Sequence, residues 1–158
     1  MKIVGSSIYL KKLSQDHFID YLDMFSPLVQ TILGVSSPFS ELAYVKTQER
    51  KQHAGDTVFF CIFEQDTHML IGSIEIRSKA HRGQLCTWLH EDYWGRGYFQ
   101  EAFRLASQFY FKKYPHESSF TARVDISNKR SYKVLTVLGC KTIRLSSGPR
   151  EDQYELEC

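Results

Sequence analysis

The run Trp94-Gly95-Arg96-Gly97-Tyr98-Phe99-Gln100-Glu101-Ala102 joins an apolar segment ending at Leu89 to an amphipathic one. Gly95 and Gly97 lack a Cβ, so the backbone there can take positive φ and let a ligand approach its N–H groups closely. The first N–H groups of the following helix have no intrahelical acceptor, and they carry the positive end of its dipole. Such a turn can cradle phosphate. It also suits an ordinary strand-to-helix turn. Two phosphate-binding patterns are excluded by spacing: a dinucleotide fingerprint needs glycine where the chain has Gln100, and a Walker A loop needs Gly-Lys-Ser/Thr, which is absent.

Three more residues could do chemistry. Asn128 precedes Lys129-Arg130-Ser131 and reads as a helix N-cap. Ser131 opens a helical stripe that continues through Val134, Leu135 and Leu138. Glu75, near the end of a strand, is the first candidate for a general base, ahead of His90 and Glu91; a base relayed through water is an equal alternative.

The glycine turn and the Asn128 segment, in this order, resemble the GNAT superfamily of acetyl-CoA-dependent N-acetyltransferases. The likeness is greatest to the branch that includes the ribosomal-protein N-terminal acetyltransferases. That branch often reads Trp-Gly-Lys-Gly-Tyr-Ala-Thr-Glu-Ala at the first segment. Asn128-Lys129-Arg130-Ser131, with Val134-Leu135 and Leu138-Gly139, is similar to the family's Asn-x-x-Ser helix ending in Leu-Gly-Phe.

The resemblance implies acetyl-CoA as co-substrate, no metal, and transfer to a primary amine (a protein N-terminus or a small-molecule amine) by direct attack in a ternary complex. Amide formation needs a neutral amine, a stabilised carbonyl oxyanion and a proton for the departing thiolate. The resemblance puts the oxyanion and pantetheine contacts on Trp88, Leu89 and His90, where their strand splays from its neighbour. It puts the pyrophosphate on the N–H groups from Trp94 to Phe99, with a charge-assisted contact from Arg96. Asn128 and Ser131 would reach CoA, and Ser131 would protonate its sulfur. Many members use a tyrosine four positions after this serine. Leu135 stands there instead, which shifts the acid role to Ser131 or water. The second reading is a catalytically silent acyl-CoA-binding module of the same fold.

Other departures from the family pattern are Phe99 in the loop, Cys140 after Gly139, Gln84, and Cys86-Thr87. Phe99 falls on an apolar helical stripe, so its ring should point into the core and away from the pyrophosphate.

The elements that must position these residues follow from periodicity. Strands are expected at Ile8–Leu13, Thr57–Phe63, Met69–Ile76, Leu85–Leu89, Phe120–Val124, Lys141–Leu145 and Gln153–Leu156. Thr57–Phe63 is apolar throughout and should be buried on both faces. A first helix carries Phe18, Tyr21, Leu22 and Phe25, and Ser26-Pro27 ends it. A loop with a short helical piece follows, and a second helix runs from about Ser40 to Gly55. The helix after the glycine turn carries Phe99, Ala102, Phe103, Ala106 and Tyr110 on one face. A last helix follows Asn128, and the turn Ser146-Ser147-Gly148-Pro149 joins the closing strands. The order, β-α-α-β-β-β-α-β-α-β-β, predicts an α+β fold: one domain over 1–158 with a mixed, mostly antiparallel sheet flanked by helices, the GNAT layout. By that resemblance, Phe25, Phe39 and Tyr44 are candidates to line the acceptor pocket, with packing in the core the favoured alternative for each.

Composition adds bounds. With 158 residues the chain can bury a core without metals or disulfides. A net charge of +2 argues against a nucleic-acid partner. No segment reads as a signal peptide or a membrane span, so a soluble cytoplasmic protein, monomer or homodimer, is expected. Cys61, Cys86, Cys140 and Cys158 form no Cys-x-x-Cys pair and are expected as buried free thiols.

Overall fold

A computed structural model describes residues 1–81, 83–145 and 153–158. The strands are β1 (Lys2–Val4), β2 (Ile8–Lys12), β3 (Thr57–Glu64), β4 (Leu70–Arg77), β5 (Gln84–Leu89), β6 (Thr121–Asp125), β7 (Lys141–Leu145) and β8 (Gln153–Glu157). The helices are α1 (Phe18–Met24), α2 (Pro27–Leu33), α3 (Pro38–Ala54), α4 (Tyr98–Lys113) and α5 (Lys129–Val137). The strands form one sheet in the order β1-β2-β3-β4-β5-β6-β8-β7, and only the β5–β6 pairing is parallel.

Alternation along the strands divides the core into two layers. Ile8, Leu10, Val58, Phe60, Ile62, Ile74 and Ile76 pack with Ala102, Phe103, Ala106 and Tyr110 of α4. Tyr9, Phe59, Cys61 and Trp88 face the other way, against Tyr21 of α1 and Val45 of α3. All eight residues of β3 are buried because helices cover both faces. Burying side chains such as Phe60 and Ile62 stabilises by roughly 1.5–3 kcal/mol each.

One strand goes beyond the sequence reading, and the short helical piece expected after α1 is α2. Lys2–Val4 adds an antiparallel edge strand to β2. Pro27 does more than end α1: Ser26 accepts a hydrogen bond from Val29 N–H, and Pro27, with φ preset and no N–H to satisfy, starts α2. The turn 146–149 lies outside the described residues.

The expectation of four free thiols is corrected. Cys140 and Cys158 are joined in a disulfide, and Cys61 and Cys86 are free. The cause is register: Lys141 pairs with Glu157, so the residues flanking that pair face each other with Cα atoms 4.2 Å apart.

The amino-terminal hairpin is tied to α4 by Glu101, whose carboxylate accepts the N–H groups of Ser6 and Ser7. Glu101→Ala is therefore expected to lower unfolding free energy by about 1 kcal/mol, with Glu101→Gln closer to wild type because its amide oxygen still accepts. Urea denaturation of the three proteins checks this; equal midpoints would refute the tie.

Candidate active site

The glycine turn has the backbone that a phosphate cradle needs. Gly95 and Gly97 have φ of 76° and 79°, and a Cβ built on either would meet nothing within 4 Å. Gly97 caps α4. The N–H groups of residues 95–100 donate to no acceptor among the described residues, whereas the Trp94 N–H is taken by the Glu91 carbonyl. The donor row thus begins one residue later than the sequence reading placed it. Trp94 supports the turn from below: its indole N–H donates to the Leu89 carbonyl at 2.7 Å, and the Arg130 guanidinium lies 4.4 Å from its ring centroid.

The sheet opens beside this turn. β5 and β6 pair only at Gln84–Thr121 and Leu85–Ala122. The later residues of β5 therefore part from β6, which is the splay expected at Trp88 and Leu89. α5 follows β6 across the opening. Asn128 caps it by accepting the Ser131 N–H at 3.2 Å, and the Ser131 hydroxyl makes no hydrogen bond among the described residues.

One cavity of about 870 Å³ connects these parts. Trp88, Leu89, Trp94, Gly95, Gly97, Tyr98, Phe99, Asn128, Ser131 and Glu75 all border it. His90 and Arg96 do not. The Nδ1 of His90 accepts the Asp92 N–H, and Arg96 extends to within 3.9 Å of the Glu64 carboxylate. The Phe99 ring lies 6.1 Å from that of Phe103 and packs against the α4 layer of the core, yet it stays half-buried and still borders the cavity.

The far end of the cavity is walled by α1, α2, α3 and the α3-facing side of β4 and β5. Glu75 is buried there at 1% exposure, in contrast to an exposed strand carboxylate. It accepts hydrogen bonds from Tyr44 and from Thr57 at 2.9 Å, with the Arg77 Nε at 3.5 Å. Burial first, then the Glu75 charge, raise the Tyr44 phenol well above its ordinary range. Across from this group, Glu41 accepts the Tyr21 hydroxyl at 2.7 Å, and Tyr21 in turn accepts the Trp88 indole N–H at 2.8 Å. Of the aromatics expected at this end, Tyr44 borders the cavity. Phe25 instead packs in the core at 5.2 Å from the Trp88 ring, and Phe39 points to solvent at 84% exposure.

Residues 7–141 match the family described as the acetyltransferase (GNAT) domain. The chain belongs to the GNAT acetyltransferase family. No curated protein matches it in sequence. Solved acetyltransferase structures share its fold. An acetyltransferase from Agrobacterium tumefaciens superposes with TM-score 0.84 at 21% identity, covering 100% of this chain and 94% of that one. The ribosomal-protein-S5-alanine acetyltransferase from Vibrio fischeri gives 0.77 at 15%, with coverage of 100% and 96%. The microcin C7 self-immunity acetyltransferase MccE, solved with acetyl-CoA and AMP, gives 0.77 at 13%, with coverage of 98% and 93%.

Sequence reasoning missed Glu41, Tyr21 and Arg77 in this GNAT site. Tyr21 was assigned to a core stripe, and Glu41 lies in the first turn of a helix whose polar pattern carries no mark of burial. Cys86, also on the cavity wall, is a nucleophile candidate by type only. Burial, then the neighbouring Glu75 charge, push its thiol up to about 11, so roughly one molecule in a thousand carries the thiolate at pH 8. Alkylation of Cys86 by iodoacetamide, followed by peptide mass spectrometry, is expected to be very slow at pH 8 and to rise tenfold per pH unit towards pH 10. Fast labelling at pH 7 would contradict the assignment.

Proposed function

We propose that this chain transfers the acetyl group of acetyl-CoA to a primary amine by direct attack in a ternary complex. The observation that carries the reading is the row of unpaired N–H groups over residues 95–100, at the head of a 16-residue helix and on the wall of a cavity that continues to two buried carboxylates. Anions bind such helix starts, and a carboxylate-lined end suits an ammonium group.

In this reading the pyrophosphate lies on the N–H groups of residues 95–100, with Gly95 and Gly97 allowing its approach. The pantetheine arm lies in the β5–β6 opening along Trp88 and Leu89, and Asn128 and Arg130 border its other side. Bound there, acetyl-CoA supplies the activated acyl group. Ser131, whose hydroxyl stands uncommitted beside the opening, donates a proton to the leaving sulfur. Glu75 and Glu41, set against the single cation Arg77, leave this end net negative, which draws the acceptor ammonium. The protonated Cys86 thiol favours direct transfer over an acyl-cysteine route.

Thermal unfolding with and without acetyl-CoA tests the binding half. Ligand at about 100 times its Kd should add roughly 2.7 kcal/mol of stability, and pantetheine, which lacks the phosphates, should add less. Gly97→Asp, which sets bulk and negative charge in the cradle, should abolish the shift while leaving the fold intact, at a modest cost in the unliganded midpoint because a side chain at φ 79° is strained, aspartate less than most. A mutant that binds acetyl-CoA normally would overturn the site. Thiol release with a panel of amines tests the transfer half. Ser131→Ala should lower kcat by about 10²-fold with little change in the acetyl-CoA KM. Binding without thiol release from any amine would favour the silent acyl-CoA-binding module.

A further inference from the structure

The two buried carboxylates at the amine end differ in what they already hold. Both oxygens of Glu75 are engaged: Oε1 accepts Thr57, Oε2 accepts Tyr44, and Arg77 lies beside Oε1. Arg77 also donates to the Tyr44 hydroxyl at 2.8 Å. Glu75 is therefore charge-balanced and serves to fix Tyr44 and Arg77. Glu41 is 5% exposed and borders the cavity; its Oε1 accepts Tyr21, and its Oε2 has no hydrogen-bond partner among the described residues.

Tyr21 is itself fixed. Its hydroxyl donates to Glu41 and accepts from the Trp88 indole, and Ser73 Oγ lies 3.4 Å away. Ser73 and Trp88 are cross-strand partners, and Trp88 lies on the part of β5 that has left β6. One phenol thus separates Glu41 from the strand on which the acetyl group would be presented.

We propose that Glu41 is the anchor and first proton acceptor for the acceptor amine, held in place by Tyr21, and that the acceptor is a primary ammonium on an apolar body. This rests on the acetyl-transfer reading above. The formal charges facing this end are Glu41, Glu75 and Arg77, which leave one uncompensated negative charge for an ammonium to balance. The remaining titratable groups there are Tyr21 on α1, Tyr44 on α3 and Cys86 on β5. At the entrance, Ile32 and Leu33 of α2 and Val35 after it border the cavity, and they would cover an alkyl or aryl group behind the amine. Arg77 is committed to Glu75 and Tyr44, so a carboxylate on the acceptor would find no free cation at this end.

The step balances. An ammonium proton moves to Glu41 Oε2, and the neutral nitrogen attacks the thioester carbonyl carbon. The C–N bond forms and the C–S bond breaks. The second amine proton goes to the departing thiolate through Ser131 or water, and Glu41 releases its proton to solvent. Burial, and more weakly Glu75, raise the Glu41 carboxyl above its ordinary value, while the Tyr21 hydrogen bond opposes the rise; a more basic carboxylate suits the role.

Benzylamine and 4-(aminomethyl)benzoate are the probe acceptors, with thiol release read from pH 5 to 9 and acetyl-CoA affinity measured by calorimetry. The wild type should acetylate benzylamine with a kcat/KM at least about tenfold above that for the carboxylate-bearing analogue. Glu41→Gln should lose about 10²-fold or more of that kcat/KM with acetyl-CoA affinity unchanged. Activity needs the carboxylate, so it should fall as pH drops through the Glu41 pKa. Tyr21→Phe removes a hydrogen bond that favours the charged form, and it should move that acid limb to higher pH. Unaltered kcat/KM in Glu41→Gln would overturn the role. An unmoved limb in Tyr21→Phe would overturn Tyr21 as its positioning residue. Equal rates for the two amines, or no turnover of benzylamine by a wild type that binds acetyl-CoA, would overturn the acceptor class. A wild type that fails to bind acetyl-CoA would instead overturn the acetyl-transfer reading.

Discussion

The N–H groups of residues 95–100 find no acceptor among the described residues, and much of the structure arranges for that to be so. A chain passing from strand to helix could satisfy these donors with side-chain caps or a tighter turn. Here two left-handed glycines shape the turn at the cavity wall, and Trp94 locks its base through the hydrogen bond from its indole N–H to the Leu89 carbonyl. α4 then buries Ala102, Phe103, Ala106 and Tyr110 against the sheet, which fixes the direction of the helix dipole. Packing far from the turn therefore determines where an anion can bind.

The second constraint is the early end of the β5–β6 ladder. Parallel strands that part after two pairs give up ladder hydrogen bonds, and main-chain groups left this way need other partners. The opening is flanked by Trp88 on one strand and by α5, capped by Asn128, on the other side. It joins the glycine turn to the carboxylates under α3. A continuous cavity thus spans two chemically opposite ends, one rich in N–H donors and one rich in carboxylates, with the opened sheet edge between them. That polarity matches a substrate pair in which one partner is polyanionic and the other cationic.

Much of this was legible in the sequence because it rests on local rules. The glycine spacing, the α4 stripe and the all-apolar β3 are patterns of period 2 or 3.6 that need no knowledge of neighbours. What escaped depends on tertiary register. The Cys140–Cys158 bond exists because β7 and β8 pair Lys141 with Glu157, which no cysteine spacing reveals. Glu75 reads as an ordinary strand carboxylate until Tyr44 and Thr57 close over it. Glu41 looks like a first-turn helix charge of the kind solvent usually covers, and its burial arises only when α1 lays Tyr21 across the foot of α3. Phe39 shows the reverse: an aromatic read as pocket or core that the α3 start turns to solvent.

The most direct test of the central claim is backbone amide hydrogen exchange, read by NMR with and without saturating CoA. Bound phosphate should slow exchange at the amides of residues 95–100 more than anywhere else on the chain, with a smaller effect along Trp88 and Leu89. Unchanged exchange at these amides despite CoA binding, or protection centred on another element, would contradict the assignment of this turn as the place where the protein holds its acyl donor.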